Sequence, residues 1–212
     1  MARRLQLPQE LIDTILENID SDVNHWTLRC CSLAHSSLLH PSRRRIFHRI
    51  VLYPQRGHYY PSGSKPTSCC QRLHNLLLKS PHIATFIQEL KLYEGQSEKL
   101  QDWIGSDPSL PLVLGMLKDL ARLELRRLKW GKLPLAVRQS IQNVLELPSL
   151  HFVEMEIAFF ASMDDFSSLL SHAGGLTGLS LAKIYTSWGE PLSLEGSSPG
   201  RDTKEQGVYS DR

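Results

Sequence analysis

The sequence predicts an α/β protein: a small all-helical unit over residues 1–52, then a region of parallel strands joined by return helices over 69–188. Three observations carry this reading. Apolar residues recur at helical spacing from Leu7 onward. An apolar pattern of the form x-x-L-x-L returns four times between Ile87 and Ile184, at intervals of about 30 residues. After Trp188 the composition turns to Gly, Ser, Pro and charge, which predicts a disordered tail over 189–212.

The first unit opens Leu7-Pro8-Gln9-Glu10-Leu11 and continues with Ile12, Ile15, Leu16 and Ile19, the i, i+3/i+4 recurrence of a helix with one buried face. Pro8 suits the first helical position, where a missing N–H costs nothing. Past Asp20-Ser21-Asp22, a second apolar series runs through Trp26, Leu28, Cys31, Leu33 and Leu38. Pro41 is expected to break it, with Ser42 capping a third, basic helix that carries Ile46, Phe47 and Ile50. Three short helices bury little surface, so the unit needs a partner or the rest of the chain to close against.

The ordered run Leu7-Pro8-x-Glu10-Leu11-Ile12-x-x-Ile15-Leu16-x-x-Ile19, then Leu28-x-x-Cys31-Ser32-Leu33-Ala34, then Pro41-Ser42-Arg43-Arg44-Arg45-Ile46-Phe47 resembles an F-box, in the F-box-like form common in large fungal families. Where F-boxes often have Trp near the end of the second series, this chain has Leu38. The resemblance implies that a ligase adaptor docks on residues 7 to about 50. Leu7, Pro8, Leu11, Ile15, Leu28, Leu33 and Leu38 are then the adaptor-facing or interface-supporting residues. Each has an alternative as internal helical core, most evenly balanced at Ile15 and Leu28.

Composition sets the outer bounds. With 41% hydrophobic and 22% charged residues, the 212-residue chain falls in the globular range. No apolar run reaches the roughly 18 to 20 residues needed to span a bilayer. The opening Met1-Ala2-Arg3-Arg4-Leu5-Gln6 does not lead into a signal-like apolar stretch. A cytoplasmic or nuclear protein is expected. Its cysteines form two vicinal pairs, Cys30-Cys31 and Cys69-Cys70, a poor framework for cross-linking and one that a reducing compartment keeps as thiols. Cys69, Cys70, His74 and His82 lack the two-residue gap with which paired cysteines grip zinc.

Residues 1–80 hold eleven Lys/Arg against five Asp/Glu, so the first part of the chain is basic although the whole carries only +2. The excess gathers at Arg43, Arg44, Arg45 and Arg49. Such a cluster fits either phosphate contacts or a solvated helix face with cations toward its C-terminal end. No aromatic interleaving or second basic stripe accompanies it, as nucleic-acid readers usually require.

Residues 53–68, rich in Pro, Gly and Ser, read as a linker. A helix is predicted from Cys69 to about Leu78, stopped at Ser80-Pro81. The recurring pattern then appears as Ile87-x-x-Leu90-x-Leu92, Leu120-x-x-Leu123-x-Leu125-x-x-Leu128, Leu147-x-x-Leu150-x-Phe152 and Leu176-x-x-Leu179-x-Leu181-x-x-Ile184. These predict strands centred on Leu90, Leu123, Leu150 and Leu179. Helix-compatible segments at Pro111 to Lys118, Ala136 to Leu147 and Met163 to Ser171 separate them, enough chain for a parallel crossover. The region resembles a short, irregular leucine-rich-repeat solenoid, without the Asn or Cys that usually turns the chain after each strand; an α/β domain without repeat symmetry shares the same layers. No polar cap follows the last strand, so the array reads as short or truncated.

Catalytic constellations are missing from the sequence. There is no G-x-S-x-G elbow, no phosphate-binding G-x-x-x-x-G-K-[ST] loop and no G-x-G-x-x-G after a strand. Ser171-His172 are chain neighbours, and Gly174-Gly175 suit a left-handed helix cap. Asp164-Asp165 suit a helix N-terminus. The expected function is therefore non-catalytic: a substrate-receptor subunit of a Skp/cullin/F-box ubiquitin ligase. Its expected partners are the ligase adaptor and cullin complex and an unidentified protein substrate. No metal, cofactor, nucleic acid or membrane is expected. The alternative is a nucleic-acid binder using Arg43 to Arg49.

Overall fold

A computed structural model describes residues 8–19, 24–54, 67–95 and 102–186. The expected tail over 189–212 and most of the 53–68 linker lie outside the described residues.

Helix α1 spans Gln9–Glu17, with Pro8 one residue ahead at the N-cap, where its carbonyl accepts from the Leu11 and Ile12 amides. Helix α2 is His25–Ala34 and α3 is Ser36–His48. The break between them falls at His35 rather than at Pro41. His35 is extended, and its ring Nδ1 accepts from the Ser37 amide, capping α3. Pro41 therefore lies inside a helix, and Ser42 is a buried mid-helix residue instead of a cap. Proline at 41 cannot donate to the Ser37 carbonyl four residues back. That carbonyl instead accepts from Gln9 Nε2 of α1 at 3.3 Å. A tertiary contact thus satisfies the group that the proline leaves orphaned.

Directly after α3 the chain becomes strand β1, Arg49–Leu52. Ile50 was expected on a helix, and the spacing Ile46, Phe47, Ile50 fits one. The β-branched pair Ile50-Val51 also suits a strand, and pairing with β2 decides between the two.

Four more strands follow: β2 Glu89–Tyr93, β3 Arg122–Arg126, β4 Phe152–Phe160 and β5 Gly178–Thr186. All five lie side by side in chain order, and every neighbouring pair is parallel. Such pairing needs a crossover each time. Between β1 and β2 it is α4 (Cys69–Lys79) and a 3-10 turn (Pro81–Phe86). Between β2 and β3 it is α5 (Trp103–Ser106) and α6 (Leu110–Met116). A 3-10 turn at Trp130–Lys132 and α7 (Leu135–Leu145) join β3 to β4, and α8 (Met163–Ser171) joins β4 to β5.

The register places Ile50, Leu90, Leu123, Val153 and Leu179 in one row across the sheet, and Leu52, Leu92, Leu125, Met155 and Leu181 in the next inward row. Apart from Leu179, which is exposed on the edge strand, these side chains share one core with Leu77, Val113, Ile141 and Leu169 of the crossover helices, so the helices cover the leucine face. Leu150 is displaced from its expected place. It precedes β4 and occupies the level of Ile87 and Leu120, because the His151 and Phe152 amides donate to the Ala121 carbonyl as those of Ala121 and Arg122 do to Gln88. Val153, three residues later, is the true counterpart of Leu123.

One backbone feature recurs. Arg127, Ile157 and Lys183 have φ of 59°, 60° and 57° and each follows one of the register partners Arg126, Glu156 and Ala182. Side chains three apart in a regular strand point to opposite faces. A left-handed residue at the same level of three adjacent strands resets that phase, so Leu125 and Leu128, Met155 and Ala158, and Leu181 and Ile184 all enter the core. The left-handed conformation costs a non-glycine residue about 1 to 2 kcal/mol, less than burying a second large apolar side chain returns. The glycine cap expected after α8 is not formed: among the described residues only Gly95 has a positive φ glycine conformation.

Candidate docking face

The N-terminal helices hold a small core of their own, made of Ile12 and Leu16 from α1 and Leu28 from α2, with Ile19, Cys31, Leu38 and Ile46 packed against it. Helix α1 carries two adjacent apolar stripes, and only one of them points inward. Ile12 and Leu16 are buried, whereas Pro8, Leu11 and Ile15 face solvent, with Leu11 50% and Ile15 56% exposed. Helix α2 repeats the arrangement: Trp26 is 75% and Leu33 87% exposed, seven residues apart and hence on one side of the helix. Large exposed apolar side chains in this concentration make the face a candidate interaction surface.

Of the predicted adaptor-binding residues, the structure leaves Pro8, Leu11, Ile15 and Leu33 exposed. Leu28 is fully buried and Leu38 partly buried, so both support the helices from within. Leu7 lies outside the described residues. Trp26 was absent from the predicted set although its exposure exceeds that of Leu11; its spacing to Leu33 was the available signal.

The arginine cluster does not form one cationic surface. Arg45 donates to the Ile19 carbonyl at 3.1 Å, tying α3 to the end of α1. Arg49 lies 3.6 Å from Glu89 and 3.8 Å from Glu124. Arg43 and Arg44 are the exposed members.

A second surface is the sheet face opposite the helices, a lattice of alternating charge. Arg122 pairs with Glu154 at 2.7 Å and its guanidinium lies 4.4 Å from the Phe152 ring centre. Glu124, almost fully buried, receives Lys91 at 2.7 Å and a close contact from Arg126, which also reaches Glu156 at 3.1 Å. Burial pushes the Glu124 carboxyl up, but the hydrogen bonds from Lys91 and Arg126 outweigh it and hold the group below its ordinary value. A shallow depression of about 310 Å³ opens here between Lys91, Tyr93, Arg126 and Glu156.

No protein-family model matches the chain, and neither characterised proteins nor solved structures give a match.

The residues that could have suggested catalysis are occupied locally. The Ser171 hydroxyl donates to the Ser168 carbonyl, while His172 Nδ1 lies 2.6 Å from Glu146, so the two do not address each other. Asp164 and Asp165 stand in the first turn of α8, whose Ser162 cap accepts from the Asp165 amide. Among the described residues no three His, Cys, Asp or Glu side chains gather as metal ligands, and no helix is long and apolar enough to cross a membrane.

Proposed function

We propose that this chain is a substrate-receptor subunit of a Skp/cullin/F-box ubiquitin ligase, acting in the cytoplasm or nucleus without catalytic chemistry of its own. In this reading the N-terminal helices are an F-box-like unit that binds the ligase adaptor. The strand-and-helix region is a short, irregular leucine-rich-repeat-like solenoid that presents a protein substrate. The observation that carries the proposal is the second apolar stripe of α1, Pro8, Leu11 and Ile15, left in solvent beside a buried Ile12 and Leu16. A helix of an isolated domain gains nothing from such a stripe, whereas a helix that closes against a partner needs it.

The parallel strands in chain order and the three left-handed residues at one level support the repeat reading, since each unit repeats one backbone course. The rival function, nucleic-acid binding, has less support because Arg45 and Arg49 are engaged within the chain. Affinity capture of tagged protein, analysed by mass spectrometry for adaptor and cullin subunits, tests the proposal. Capture that persists at high salt is expected of an apolar interface. Loss of capture on raising salt, together with recovery of nucleic acid, would favour the rival.

A further inference from the structure

An apolar pocket of about 350 Å³ lies past the ends of β3 and β4, lined by Lys129, Gly131, Lys132, Phe159, Phe160 and Ala161. Gly131 and Ala161 keep it open: a Cβ at Gly131 would stand 3.5 Å from the Ala161 Cβ, and neither residue carries a side chain long enough to fill the space. Phe160 is drawn into the core against Trp130 and Phe166, at ring-centre distances of 6.1 and 5.0 Å. Its neighbour Phe159 therefore faces outward. Phe159 stays 41% exposed although its ring stacks on Tyr185 of β5 at 5.1 Å.

The walls are almost wholly apolar, and both charged residues beside them are cations. Lys129 is partly engaged, 3.8 Å from Asp102, whereas Lys132 is exposed. Among the described residues no carboxylate lines the pocket. A complementary occupant brings apolar side chains flanked by negative charge.

The chain carries such a segment a few residues past β5. After Thr186 the sequence runs Ser187-Trp188-Gly189-Glu190-Pro191-Leu192-Ser193-Leu194-Glu195. Leu192 and Leu194, two apart, share one side of an extended chain, and glutamates bracket them. Pro191 has a fixed φ and disfavours helix at Glu190, so less entropy is lost when the segment lies down extended. The reach is sufficient. Thr186 pairs with Phe160 on the neighbouring strand, about 5 Å away, and the chain from Thr186 to Leu192 can span up to about 20 Å.

We propose that residues 190–195 of this chain fold back onto the pocket, with Leu192 and Leu194 against Phe159, Gly131 and Ala161 and a glutamate toward Lys132. The segment caps this end of the sheet, and a partner that uses the pocket has to displace it. Attachment at Thr186 supplies an effective concentration on the order of millimolar. A contact of only about 0.1 mM intrinsic affinity is then closed about ten times as often as open.

The test is limited digestion of the full chain by a glutamate-specific endoproteinase, followed by mass spectrometry. Glu205, later in the same sequence, is the internal reference. Relative to Glu205, cleavage after Glu195 should be about tenfold slower in the full chain than in a synthetic peptide of residues 187–212, because cutting tracks the open fraction. Leu192→Ser/Leu194→Ser and Phe159→Ser should each return the ratio to that of the peptide, and Lys132→Glu should lower the protection; circular dichroism checks that the variants fold. Equal ratios in the full chain and the peptide, or protection that survives any of these variants unchanged, would overturn the proposal. Protection that rises with protein concentration would also overturn it, by assigning the pocket to a second copy of the chain.

Discussion

Leu123→Ala measures what the aligned strands contribute. Leu123 is fully buried on the central strand, with Leu90 and Val153 as its register partners and Leu125 in the next inward row. Truncation removes buried methyl and methylene groups and leaves a cavity whose walls belong to strands fixed on both sides, so little collapse is available. The expected cost is about 3 to 5 kcal/mol. Leu179 occupies the same row on the edge strand, has one neighbouring strand and is 44% exposed. Its truncation forfeits roughly half a side chain of burial, about 1 kcal/mol. Urea unfolding followed by far-ultraviolet circular dichroism reads both, provided the slope with denaturant is unchanged between variants. Equal costs for Leu123→Ala and Leu179→Ala, or a cost below about 1.5 kcal/mol at Leu123, would refute the burial gradient across the sheet.

Other positions give independent tests. Leu150→Ala should cost about 2 to 5 kcal/mol in the same assay, since Leu150 is fully buried even though it lies before the strand. A Cβ at Gly178 would meet the Phe152 ring at 2.5 Å, so Gly178→Ala should cost about 1 to 3 kcal/mol, relieved in the double variant with Phe152→Ala. Glu94 is 3% exposed, and burial pushes its carboxyl up to about 7. Its folded form holds the proton more tightly than the unfolded form, so stability is full below about pH 4.5 and falls as pH rises through about 7, by on the order of 3 kcal/mol. Glu94→Gln should remove that loss, checked by unfolding midpoints at pH 5 and 7.5; an unchanged pH dependence would assign it to other groups.

Much of the fold was legible because apolar spacing is a direct record of burial. The bounds of α8 match the segment Met163 to Ser171, and the L-x-L-x-x-L pattern of Leu123, Leu125 and Leu128 already carried the phase reset, although only the left-handed Arg127 explains it. Leu150 shows the limit. Both Leu147-x-x-Leu150-x-Phe152 and Leu150-x-x-Val153-x-Met155 fit the repeat, and only the structure reveals that Phe152 faces outward, covering Gly178. The helix continues through Pro41 with its orphaned Ser37 carbonyl answered by Gln9, and Ile50 pairs with β2, tertiary contacts that local propensity does not encode. At the candidate docking face, α1 has apolar residues at 11, 12, 15 and 16, with Ile19 just beyond its end, so periodicity names the helix without saying which stripe is buried. The same ambiguity left Leu28 open between an interface-supporting and a core position, and the structure buries it in the helical core.

The most direct measurement of the central claim is calorimetric titration of the ligase adaptor into the full chain and into Leu11→Ala/Ile15→Ala. Both side chains are half exposed, so the double variant should lose no more than about 1 kcal/mol of folding stability. If they sit at the desolvated centre of an adaptor interface, binding should weaken by about 2 to 4 kcal/mol, a factor of roughly 30 to 1,000 in Kd. An affinity unchanged in the double variant, or no binding by the unmodified chain, would contradict the assignment of this face to the adaptor.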